Sequence, residues 1–179
     1  VRGLQNEPLG STAQDRLTRA YIGESALGNL VADALRSMMP GADLGMTNGG
    51  GLRANVEPGP LTYGSIFNVL PFDNQVATIK VNGSILAKIV QLGVRPDAAT
   101  LSWSGLTFQA EGCTVKNILV DGKPIDPKRI YTIITSDYLA TGGSDFHGPG
   151  VGSAYRVLGG PPVPLAAVTN LRAAAPSQQ

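Results

Sequence analysis

Residues 24–53, ESALGNLVADALRSMMPGADLGMTNGGGLR, hold the transition that decides the fold. Leu27, Leu30, Val31, Ala34, Leu35 and Met38 recur at helical spacing, which predicts an amphipathic helix over Ser25–Met39. Ser25 or Glu24 stands at its start, and Pro40-Gly41 supplies the stop. A short strand, Asp43–Thr47, follows and runs into Asn48-Gly49-Gly50-Gly51. Gly28 inside the helix costs about 1 kcal/mol relative to alanine, so close packing or function has to offset it.

Upstream, residues 1–18 are polar and aperiodic, and read as a linker or an extended lead-in strand. Downstream, Glu57-Pro58-Gly59-Pro60 reads as a loop. Thr62 caps a brief helix, Tyr63–Leu70, that Pro71 ends. Gln75–Val81 reads as a strand. Ile85, Leu86, Ile89, Val90 and Leu92 then outline a second amphipathic helix, closed by Gly93. Asp97–Gly105 is loop-like. Leu106–Ala110, Val115–Val120 and Ile130–Thr135 are predicted strands, with Asp121-Gly122 as a tight turn. After Leu139 the chain is glycine-rich to Gly152. Ala154–Leu158 then reads as a strand before a Gly/Pro- and Ala-rich tail. Helices and strands mix irregularly and nothing repeats, which favours α+β over a doubly wound sheet.

Composition narrows the function classes. A chain of 179 residues with 15% charged side chains suits one folded domain with a sizeable core. Its net charge of +1, with no run of like charges, lacks the clustered basic face that a nucleic-acid polymer demands. The single cysteine, Cys113, cannot form an internal disulfide, and in an apolar strand context it reads as a small buried hydrophobe. The single histidine, His147, argues against a zinc or two-metal hydrolytic centre, which recruits several imidazoles. No apolar run approaches the ~20 residues of a membrane span. The start at Val1, without a leader, reads as a processed or excised piece of something longer.

Several segments can carry chemistry. In Asn48–Arg53 (NGGGLR), the glycines let the backbone approach a ligand, Asn48 can donate and accept, and Arg53 offers a fork suited to phosphate or carboxylate. A plain turn with a solvated arginine is the alternative. Phe72, just after a helix stop, can stack on a base or serve as a core anchor. Ser136–His147 (SDYLATGGSDFH) combines Tyr138, two carboxylates and a Gly-Gly hinge; Tyr138 and Phe72 can sandwich a planar ligand, and Asp145 can accept from ribose hydroxyls. The alternative there is a surface loop, with His147 an ordinary histidine. Asn29 can tie down a loop through its amide, or simply belong to a structural helix start.

Together, Glu24–Asp33 (ESALGNLVAD), Asn48–Arg53 (NGGGLR), Gly59–Asn74 (GPLTYGSIFNVLPFDN) and Ser136–Phe146 (SDYLATGGSDF) resemble the C-terminal domain of the 5'-nucleotidase family, which includes UDP-sugar hydrolases. The resemblance spans about residues 9–146 and fades after Gly148. It implies an α+β layered sandwich of mixed β-sheets with outer helices. It also implies a division of labour: an N-terminal metallophosphoesterase domain holds two divalent metal ions, and the C-terminal domain binds the nucleoside and rotates to deliver the phosphate. Residues 1–18 would then be the hinge, 19–160 the nucleotide-binding domain and 161–179 a tail. No catalytic residue, metal ligand or cofactor is expected within this chain.

Carried over position by position, Phe72 resembles one wall of an aromatic clamp around the base, and Tyr138 the other. Asn48 resembles the residue that bonds the base or lines its pocket. Gly50 sits where backbone meets ligand, and Arg53 resembles the arginine that holds phosphate or carboxylate. Asp145 resembles the ribose-binding acid, although Ser144 intervenes where the family has Gly-Gly-Asp. Upstream, Tyr21 replaces a family arginine; Arg19, two residues off, compensates if the strand is bulged. The family implies an extracellular, periplasmic or cell-surface location and no membrane span. The alternatives are a domain of a 2',3'-cyclic nucleotide phosphodiesterase, a thiosulfohydrolase-like relative or a UDP-sugar hydrolase, or an adhesion module that has lost the pocket.

Overall fold

The computed structural model describes residues 3–94, 99–142 and 155–157. The order of elements begins β1 (Pro8–Ala13), α1 (Ala26–Ser37), β2 (Leu44–Asn48), β3 (Gly59–Thr62), α2 (Tyr63–Val69), β4 (Val76–Asn82) and α3 (Gly83–Leu92). It continues with β5 (Leu101–Ser104), β6 (Leu106–Glu111), β7 (Thr114–Val120), β8 (Lys123–Pro124), β9 (Ile130–Ser136), α4 (Asp137–Ala140) and β10 (Tyr155–Val157). A mixed five-stranded sheet runs β10-β4-β9-β2-β5, with β2 and β9 parallel and every other pair antiparallel. A two-stranded ribbon, β1-β3, and a three-stranded sheet, β6-β7-β8, flank it. The expected α+β layering of mixed sheets with outer helices is what the chain adopts.

The pleat explains the layers. Side chains alternate across a strand, so Leu44 and Met46 of β2 face one way and Gly45 the other. Leu44 and Met46 join Ile79, Val81, Trp103, Tyr131 and Ile133 in a core that Leu86, Ile89 and Val90 of α3 and Leu106 and Val120 of the small sheet complete. On the opposite face α1 lies so close that a methyl group on Gly45 would sit 2.1 Å from the Ala32 carbonyl oxygen. One on Gly28 would sit 2.2 Å from the Ser102 hydroxyl oxygen in β5. Close packing is therefore what offsets the helical glycine. A second core, built from Leu27, Leu52, Val56 and Val69, joins α1 to α2 and the β1-β3 ribbon.

Local chemistry sets the element ends. The Ser25 hydroxyl accepts the Gly28 N–H at 3.1 Å and starts α1. Thr62 and Ser65 form a reciprocal capping box at α2. Asn82 caps α3 by accepting the Ile85 N–H at 2.9 Å. Asp121 and Gly122 both hold positive φ, 47° and 76°, the two-residue turn demanded between β7 and β8.

Three expectations change, and of the two readings of residues 1–18 the strand holds over Pro8–Ala13. Residues 1–18 contain a paired strand: β1 lies along β3, Leu17 bridges Val56, and Gly10 at φ 71° sits where the register slips. The supposed loop at Glu57–Pro60 gives way to β3 at Gly59. The supposed loop Asp97–Gly105 contains β5, buried at every position and hydrogen-bonded to β2. Cys113 is exposed, because it follows Gly112 (φ 60°) in the turn between β6 and β7 and lies outside either strand.

Because a rigid carbonyl blocks it, Gly45→Ala is expected to lower unfolding stability by about 3 kcal/mol in denaturant titration. Gly28→Ala should cost less, about 1–2 kcal/mol, since a serine rotamer can yield and alanine favours helix. Thr62→Ala removes half a capping box and should cost about 1 kcal/mol by the same measurement.

Candidate functional site

Because β2 and β9 are parallel, both finish at the same end of the central sheet, where β4 and β5 begin. The connections that meet there are Gly49–Arg53 after β2, Leu70–Gln75 before β4, α4 after β9, and the residues leading into β5. Ligands favour the carboxyl ends of strands in such sheets, where loops converge over a fixed scaffold.

Main-chain bonds lock these connections to one another. The Gly49 N–H donates to the Thr100 carbonyl at 2.9 Å, and the Thr100 N–H donates to the Tyr21 carbonyl at 2.9 Å. The Arg53 N–H donates to Val69 at 2.8 Å, and the Asp137 N–H to Gln75 at 2.8 Å. The glycines Gly49–Gly51 form a single 3-10 turn. Substitution at Gly49 is blocked, since a Cβ there would lie 2.3 Å from the Ala20 carbonyl oxygen. Leu52, wholly buried, pins the far end of the turn in the second core.

The side chains predicted from sequence fall around this turn as follows. Asn48 is buried, with its Oδ1 only 2.7 Å from where a Gly51 Cβ would stand, so its amide lies beneath the turn. Gly50 is partly exposed above it. The Arg53 guanidinium donates through Nη1 to the Gly50 carbonyl at 3.2 Å and lies 5.9 Å from the centre of the Phe72 ring. Arg19 reaches the residue that closes this turn, donating through Nη1 to the Leu52 carbonyl at 3.2 Å, while its backbone N–H donates to Asn55 Oδ1. Two cations thus donate to carbonyls of the Gly49–Leu52 segment.

Phe72 is 50% exposed, so it is no core anchor. Tyr138 is 40% exposed. It stands in α4, which Ser136 caps and which buries Leu139, turning the tyrosine outward. The bond between Asp137 and Gln75 joins the residue before Tyr138 to the residue three past Phe72. Both rings therefore belong to one rim. Ser144, Asp145 and His147 lie outside the described residues.

Sequence reasoning marked Tyr21 only as a substitution, yet it is half-exposed at this rim beside exposed Ile22. Two adjacent bulky apolar residues just ahead of Gly23 and the helix cap Ser25 were the available signal. Asn29 does tie down its neighbour, donating to Glu24 Oε1 at 2.7 Å. A separate cleft of about 360 Å³ between α1 and β5 holds Glu24, Asp33 and Asp121 and shares no residue with the rim. Among the described residues no three His, Cys, Asp or Glu side chains are grouped to hold a metal, and no helix is long and apolar enough to cross a membrane.

Comparison with known proteins agrees with this architecture. The chain is 33% identical over 123 residues to Endonuclease YhcR of Bacillus subtilis, covering 66% of this chain and 10% of that protein. It is 32% identical over 111 residues to Protein UshA of Salmonella pullorum, covering 59% and 20%. The chain thus spans a fifth or less of these relatives. The fold matches a 5'-nucleotidase precursor from Thermus thermophilus with a TM-score of 0.79 at 23% identity, over 94% of this chain and 36% of that one. NAD nucleotidase of Haemophilus influenzae gives a TM-score of 0.70 at 21% identity, over 87% and 34%. The family model described as 5'-nucleotidase, C-terminal domain, matches residues 8–149, and the chain belongs to that family.

Proposed function

We propose that this domain holds the nucleoside part of a nucleotide for a 5'-nucleotidase-like phosphohydrolase, with Phe72 and Tyr138 as the walls that receive the base. The observation that carries the reading is the rim itself: two exposed aromatic rings at one end of the sheet, beside a glycine turn to whose carbonyls at Gly50 and Leu52 two guanidiniums donate. Stacking on an aromatic contributes about 1–3 kcal/mol per base and tolerates different bases. Arg53 and Arg19 supply N–H donors for the anionic end of a ligand. Asn48, beneath the turn, serves to hold the backbone of Gly50 and Gly51 in place for contact. Ser144 and Asp145 are assigned to the sugar hydroxyls by family resemblance alone.

Hydrolysis belongs, in this reading, to a metallophosphoesterase domain outside the present sequence, whose two divalent ions would activate water and stabilise the leaving oxygen. What this chain contributes is binding energy from a part of the substrate remote from the reacting phosphorus. That energy lowers the barrier when it is spent on orientation. Rotation of the domain about a hinge would carry the phosphate to the metals, at an extracellular, periplasmic or cell-surface location.

The test is calorimetric titration of the 179-residue chain with adenosine, AMP and UDP-glucose. Saturable binding is expected, weakened about tenfold in Phe72→Ala and again in Tyr138→Ala, with no metal-dependent release of phosphate from AMP. Absence of binding to all three ligands, or binding indifferent to both substitutions, would overturn the assignment in favour of an interaction module.

A further inference from the structure

We propose that Tyr21 is a specificity-determining residue of this rim, an uncharged aromatic wall over the Gly49–Gly51 turn that contacts the nucleoside portion of a ligand and leaves its anionic end to Arg19 and Arg53. The inference rests on the nucleoside-holding reading and deepens it.

Tyr21 is placed by its backbone. Its carbonyl accepts the Thr100 N–H, and two residues on the Gly23 N–H donates to the Thr100 hydroxyl oxygen at 2.7 Å. The Tyr21 carbonyl and Cα also crowd Gly49, at 2.9 and 3.3 Å from where its Cβ would stand. The segment is therefore clamped between the turn and the start of β5. Its ring leans over the turn, with Cε2 3.5 Å from the position of a Gly50 Cβ, while half of the residue stays exposed. Ile22 beside it and Phe72 beyond Arg53 are likewise exposed, at 55% and 50%. Apolar groups gathered at a loop-built rim mark a recognition surface more strongly than a lone exposed tyrosine does.

The charge around the turn points the same way. Arg19 and Arg53 each already donate to a carbonyl of the turn, at Leu52 and at Gly50. Beside that segment Tyr21 adds a phenol and no charge. The anionic end of a ligand is thus drawn to the guanidiniums, whereas a sugar or base edge over Gly50 meets the apolar surface of the Tyr21 ring and one hydroxyl.

Calorimetric titration of the full 179-residue chain with adenosine and with AMP tests this, using Tyr21→Leu, Tyr21→Phe, Tyr21→Arg and Phe72→Ala. The wild type should bind both ligands. Tyr21→Leu should weaken both about tenfold, and Tyr21→Phe should stay within about threefold of wild type, since the ring is the contact. Tyr21→Arg should move the AMP-to-adenosine affinity ratio about tenfold towards AMP, a readout that a merely structural role would not move. Should Tyr21→Leu fail to fold, as judged by circular dichroism, that ratio in Tyr21→Arg decides alone. If wild type binds and Phe72→Ala weakens it, while Tyr21→Leu matches wild type or Tyr21→Arg leaves the ratio unchanged, Tyr21 has no such role. A large loss in Tyr21→Phe would likewise overturn the ring contact. If wild type binds neither ligand, the nucleoside-holding reading itself fails.

Discussion

A helix can lie flush against a β-strand only where the strand presents no side chain, and α1 meets that condition at Gly45. With the Ala32 carbonyl against the Gly45 Cα, and Gly28 against Ser102, α1 sits lower on the sheet than ordinary side chains would allow. That depth lets Leu27 reach Leu52, Val56 and Val69, so the second core exists because the first contact is so short. The α2 segment and the β1-β3 ribbon are held to the sheet through that core, and the Gly49–Arg53 turn is held between the two.

Strand direction then decides where chemistry gathers. Placing β9 parallel to β2 brings the residues after each strand to the same end, although about ninety residues separate Asn48 from Ser136 in sequence. An antiparallel β9 beside β2 would send α4 to the far end and part Tyr138 from the glycine turn. Asp43 reinforces the choice from the other end of β2. Its carboxylate accepts from Arg129 and from the Thr132 N–H, so β9 begins beside β2, and Arg129 also covers the Tyr131 ring at 4.8 Å.

Much of this was legible in the amino acids. Ser25, Thr62 and Asn82 announce helix starts through side-chain chemistry that acts within three residues, and Asp121-Gly122 announces a turn through backbone sterics. The segments around Asn48, Phe72 and Tyr138 could be marked without coordinates because, with Glu24–Asp33, they stand in the order of the family's motifs; each alone also reads as a turn, a core anchor or a surface loop. What escaped depends on distant partners. Leu101-Ser102-Trp103-Ser104 alternates like a strand, but four residues are too few to outweigh the flanking proline and glycine until β2 is known to lie alongside. For residues 1–18 a strand was one of two readings, and only the pairing with β3 decides for it over Pro8–Ala13; Cys113 is exposed only because it stands in a turn outside both strands. The placing of Asn48 was half visible: its type signalled hydrogen bonding, while its position beneath the turn emerges only from the fold.

The pinning of Leu52 has a further consequence. The glycine turn is stapled at one end to the central sheet through the Gly49–Thr100 bond and at the other to the second core through a wholly buried leucine. Three glycines in an untethered loop would be among the most mobile backbone in a protein, and ordering them on ligand contact would consume much of the affinity gained. Here the folded state has met that entropy cost in advance. Any ligand resting on Gly50 presses on a joint common to both hydrophobic clusters, so occupancy should slow amide exchange in the two clusters in concert, turning a small surface contact into a global increase in rigidity.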